Sequence, residues 1–136
     1  MFLSEKWVYM DIEQELNVKY YIDSINDNTE GLSIMLSEVN DESLRVKVFF
    51  EHSVHAYRST DESYRSNTIN YLQDSYGLNF YKERTFFVIT DSEYIRWLSQ
   101  QSQGISDLEQ VSHYSFLAVN SIVDVIAAYE PKITRL

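Results

Sequence analysis

The chain has 136 residues, a length that suits one domain spanning 1–136, and no cysteine, which excludes disulfides, thiolate metal sites and a thiol nucleophile. Three glycines and one proline exclude low-complexity classes, and 44% hydrophobic residues with 24% charged ones suit a globular core. The formal net charge is −10, of which residues 1–62 carry −8; this field repels phosphate backbones and anionic lipid surfaces and attracts basic proteins.

The N-terminal residues Met1-Phe2-Leu3-Ser4-Glu5-Lys6-Trp7 lack the basic and apolar blocks of a secretory signal. Phe2 stands where myristoylation needs glycine. No stretch approaches the roughly 18 apolar residues of a membrane span. We therefore expect a cytoplasmic protein that does not engage a membrane.

Leu16–Ile25 is strand-like, with Val18, Tyr20 and Ile22 alternating against Lys19, Tyr21 and Asp23. The polar cluster from Asn26 to Gly31 predicts a turn. Leu32–Ser37 and Leu44–Glu51 both alternate apolar with polar residues, predicting a hairpin about the turn Asn40–Ser43. Pairing is expected to continue through Val54 to Tyr57.

A helix is predicted from Asp61 to Tyr76, capped by Thr60 and ended by Gly77, with Tyr64, Thr68, Tyr71, Leu72 and Ser75 on its stripe. Phe86–Ile89 is apolar on both faces, a central strand. Thr90-Asp91-Ser92-Glu93 has the capping-box spacing and predicts a helix through about Gln103. His113–Val119 and Ile122–Ala127 fit either a helical face or two strands. Their β-branched residues favour a hairpin.

These elements predict an α+β fold: a mostly antiparallel sheet of about five to six strands with two helices packed on one face. The expected core is Ile22, Ile34, Leu36, Val46, Val48, Phe86, Val88, Leu98, Phe116 and Val125.

Catalytic vocabulary is sparse. Glu51, His52 and His55 are zinc-ligand types, but on a strand residues 52 and 55 point to opposite faces. The segment from Asp23 fails the calcium-loop pattern at Ile25, Asn28 and Ile34. His113 lies near Ser112 and Ser115, yet adjacent strand residues diverge and no nucleophile elbow is present. Gly31, Gly77 and Gly104 are too far apart for a phosphate loop. No cofactor or metal is expected, and the acidity argues against nucleic acid.

The aromatic content stands out, with 11 Tyr against 7 Phe. Tyrosine is enriched where surfaces meet partners. We expect a non-catalytic acidic protein-binding module, sharpened as an immunity protein: an inhibitor that neutralises a basic, nuclease-type toxin. Asp11, Glu13, Glu15, Asp27, Glu30, Asp41 and Glu42 would steer the partner, with Tyr20, Tyr57 or Tyr64 as anchors. Two other classes would look different. An enzyme of unfamiliar type would show a pocket holding His52, His55 or His113 beside carboxylates. A structural phage or stress-operon component would self-associate through exposed tyrosines and strand edges. The sequence leaves the oligomeric state open.

Overall fold

The computed structural model describes residues 5–136; the readings that rest on Phe2 and the other residues of 1–4 lie outside the described residues. Among the described residues, the strands are β1 (Lys6–Tyr9), β2 (Tyr20–Asn28), β3 (Gly31–Glu38), β4 (Arg45–Phe50), β5 (Val54–Asp61), β6 (Phe86–Thr90), β7 (Ser112–Leu117), β8 (Ser121–Ala127) and β9 (Lys132–Arg135). The helices are α1 (Ser66–Tyr76), α2 (Phe80–Glu83) and α3 (Glu93–Gln101). No helix among the described residues is long and apolar enough to cross a membrane.

The α+β class holds, but the single expected sheet is two antiparallel sheets. One runs β1-β6-β7-β8-β5 and the other β2-β3-β4-β9. The physical reason lies in β7 and β8, whose residues from His113 to Leu117 and from Ile122 to Ala127 are buried on both faces. Such strands need cover on each side. The four-stranded sheet supplies one cover. Leu32, Ile34, Leu36, Val46, Val48 and Phe50 pack against Phe86, Phe116, Val123 and Val125. On the far face, Leu72 of α1 and Phe80 of α2 pack on Phe87, Leu117 and Ile122.

Most residues of the expected core are buried, though they form only part of the core. Ile34, Leu36, Val46, Val48, Phe86, Phe116 and Val125 are buried, while Ile22 and Val88 are partly buried against them. Leu98 is only half-buried. The segment 112–127 is the expected hairpin, with Leu117 opposite Ile122. β4 and β5 follow each other in sequence but belong to different sheets. The chain turns at Ser53, whose φ is 58°, and β5 joins β8 rather than continuing the first hairpin.

Other boundaries move for identifiable reasons. β2 runs through Asn28 because β3 pairs with it as far as Asn28 opposite Gly31, so the turn is shorter than its polar composition implied. Gly31 has φ 142°, and a Cβ there would lie 2.3 Å from the Phe50 carbonyl oxygen, so only glycine fits. β5 holds Thr60 opposite Ile122 and Asp61 opposite Ser121, which delays α1 to Ser66. Thr90 pairs with Lys6, so the cap of α3 is Ser92, which accepts from the Ile95 N–H at 3.1 Å. Short strands β1 and β9 and the single-turn α2 had no periodicity long enough to read.

Lys19 is withdrawn from the surface. Its ammonium donates to the carbonyls of Tyr81, Arg84 and Leu117 and lies over the Tyr81 ring, joining the two sheets. Burial pulls its pKa down to about 7.

Candidate functional site

On the helix-covered face of the five-stranded sheet, antiparallel register sets Ser115 opposite Asp124 and Asp124 opposite Arg58. His113 lies two residues along the same face of β7. This gives a fully buried carboxylate in a central strand, which must be paired to be tolerated. Arg58 Nε and Arg65 Nη1 donate to Asp124 Oδ2 at 2.9 and 3.0 Å, and His113 Nε2 donates to Oδ1 at 2.7 Å. Burial alone would raise the Asp124 carboxyl; the hydrogen bond and electrostatic pull of His113, with Arg58 and Arg65, outweigh it and hold it far below the usual carboxylate range. The other imidazole nitrogen, Nδ1, meets Ser92 Oγ at 2.7 Å. One network thus joins β5, β7, β8, the turn before α1 and the cap of α3.

Above it is a pocket of about 350 Å³ lined by Glu5, Trp7, Arg58, Arg65, Ile89, Glu93, Tyr94, Trp97 and His113. Tyr94 covers Arg58, whose guanidinium carbon is 4.1 Å from the ring centre, and stacks on Trp97 at 5.8 Å. Glu5 Oε2 accepts from the Glu93 N–H at 2.8 Å, and burial pushes the Glu5 carboxyl upward.

Ser92, His113 and Asp124 thus form a hydrogen-bonded chain in the order hydroxyl, imidazole, carboxylate. Its chemistry differs from that of an activated nucleophile. The His113 ring is buried, and it meets the hydroxyl through Nδ1 and the carboxylate through Nε2, the reverse of a hydrolase triad. Ser92 is also buried, and its Oγ already accepts from the Ile95 N–H as the helix cap. Asp124 is shared with two guanidiniums, unlike an orienting carboxylate bound to imidazole alone.

A second constellation forms at the end of the molecule where the β2–β3 turn meets β5 and α3. A depression of about 400 Å³ is lined by Asp27, Val54, His55, Ala56, Tyr57, Tyr94, Trp97 and Leu98. Tyr57 is 38% exposed and Trp97 49%. The Tyr57 hydroxyl stands beside Asp27; burial first, then that carboxylate, raises its pKa. Glu30 lies in the adjoining turn, next to which Glu51 begins the link to β5. Glu109 meets His55 Nε2 at 2.8 Å, and its neighbour Leu108 is exposed. Among the described residues, no lysine or arginine lines this depression.

The seven carboxylates expected to steer a partner do not share one patch. Asp27 and Glu30 belong to this end. Asp41 and Glu42 lie in the β3–β4 turn, about 25 Å away along the eight-residue β3. At that end Arg135 meets Glu13 at 3.1 Å and Glu15 at 3.5 Å, and Arg45 meets Asp23 at 3.5 Å. Asp11 lies beside Pro131 and Ile133. Of the tyrosines, Tyr57 is in the depression. Tyr64, 82% exposed, follows the far end of β5. Tyr20 is a correction: it is fully buried with its ring 5.2 Å from that of Phe86, and it offers no surface to a partner. His52 is exposed against Tyr129, apart from His55.

Sequence reasoning did not single out Trp97, which is half exposed at the rim of this depression. It also missed Asp124. A lone acid inside the apolar run from Ile122 to Ala127 is the signal that could have found it. Comparison with family models, curated proteins and solved structures returned no match.

Proposed function

We propose that this chain is a non-catalytic acidic protein-binding module, acting as a cytoplasmic inhibitor of the immunity type that neutralises a basic, nuclease-type toxin. The observation that carries this reading is the end where Tyr57, Trp97 and Leu98 line a depression beside Asp27, Glu30, Glu51 and Glu109 with no lysine or arginine among the described residues of its lining. Aromatic anchors ringed by one sign of charge suit a partner of the opposite sign. A nuclease cleft that holds phosphates is such a surface. The net charge of −10 makes nucleic acid a poor partner and extends the attraction for a cationic protein beyond contact distance.

The test is capture from the native host, identification of the bound protein and reconstitution with the purified partner. The partner is expected to be basic, to lose its activity in the complex, and to bind more weakly as salt rises from 0.1 to 1 M, which shortens screening from about 10 to about 3 Å. A neutral or acidic partner, or binding indifferent to salt, would overturn the reading.

One observation favours a second reading, an enzyme: the Ser92–His113–Asp124 chain beside a pocket. That reading requires an activated Ser92, which a fluorophosphonate probe would label. We expect Ser92 to stay unlabelled, because its hydroxyl is buried as a helix cap.

A further inference from the structure

The pocket over the Asp124 network differs in polarity from the acidic end. Its floor presents donors. Arg58 and Arg65 share a single carboxylate oxygen, so two positive charges meet one negative charge there. Both guanidiniums retain further N–H groups beyond those on Asp124. Trp7 lines the same pocket at 6% exposure, and its indole Nε1 is buried with no hydrogen-bond partner among the described residues. A buried N–H without an acceptor is costly, and a ligand oxygen would relieve it. Tyr94 and Trp97 give the pocket aromatic walls.

We infer that this pocket binds a small organic carboxylate, its oxygens received by the Trp7 indole N–H and by Arg58 and Arg65, its apolar body lying against the stacked Tyr94–Trp97 pair. The hydrogen-bond donors rather than net charge select the carboxylate, because Glu5 and Glu93 in the lining offset Arg58 and Arg65. Glu5 and Glu93 at the same pocket oppose a dianion such as phosphate, and the aromatic walls call for an apolar body. This inference stands apart from the docking reading. A failed carboxylate titration leaves partner capture untouched, and failed capture leaves the titration untouched.

Trp7 and Trp97 are the two tryptophans of the chain, and both line the pocket, so its two indole N–H resonances report on occupancy. The probes are 3-phenylpropionate and phenethylamine, which share a phenyl-ethyl body and differ in charge, titrated into the full chain. The carboxylate is expected to move the Trp7 indole proton downfield and to saturate at about millimolar concentration. Trp7→Phe keeps a ring and deletes the donor; it is expected to weaken binding about tenfold, as loss of a hydrogen bond to a charged acceptor does. Should that variant fail to fold, Trp97→Ala removes an exposed wall instead and is also expected to weaken binding. An indole spectrum unmoved by about 20 mM carboxylate, an equal response to the amine, or unchanged affinity in the variants would overturn the inference.

Discussion

Asp124→Asn is expected to destabilise the fold by about 3–5 kcal/mol, the usual cost of removing one partner from a buried ion pair. The substitution is isosteric, so packing in β8 is preserved and the effect is electrostatic. It removes the negative charge that Arg58, Arg65 and His113 share and turns one of the two accepting oxygens into a donor facing them. Arg58 can turn to solvent, since its side chain is 42% exposed. Arg65 and His113 cannot, so most of the cost falls on them. Urea unfolding of the two proteins at neutral pH measures it.

The same residue sets an acid limit. Its folded pKa lies below its unfolded value, which is about 3.9. Its contribution is therefore fully present above that value and is lost as pH falls below about 4. The stability gap between wild type and Asp124→Asn should narrow steadily below pH 4. A gap that stays constant there would show that Asp124 is not held as an anion in the fold.

The second large effect concerns binding. Trp97→Ala is expected to weaken the complex with the captured partner by about 2–4 kcal/mol, the range of an aromatic anchor at the centre of an interface. Trp97 is half exposed and caps no core cluster, so the variant should fold. The loss should come mainly from faster dissociation, because the ring acts after encounter. Tyr57→Ala should act in the same direction. Tyr64→Ala, beyond the other end of β5, should leave affinity within about 0.5 kcal/mol of wild type. Equal losses at Tyr57 and Tyr64 would remove the argument for a defined docking end.

The alternation at Leu32–Ser37 and Leu44–Phe50 identified β3, β4 and their inward faces, because a half-buried strand writes its burial into a period of two. The break between β4 and β5 could not be read so, because it depends on which sheet needs a cover rather than on any residue in the link. The helix caps slipped by a few residues for the same kind of reason: Thr60 and Thr90 are good caps locally, but both are held in strands by partners distant in sequence. At the site, the acidic charge and the tyrosine content were legible, whereas their arrangement was not. Asp27 and Asp41 look alike in sequence and stand at opposite ends of one sheet. The union of Ser92, His113 and Asp124 comes from three elements brought together by the fold.

The central claim is that the Asp27–Tyr57–Trp97 end meets a cationic partner. Stopped-flow association with the captured partner, at several salt concentrations, tests it most directly with Asp27→Asn/Glu30→Gln beside Asp41→Asn/Glu42→Gln. Both pairs remove two charges, so net charge is matched. The first pair is expected to slow association several-fold at low salt and to flatten the salt dependence, while the second changes the rate much less. Equal slowing by the two pairs, or none by the first, would contradict it.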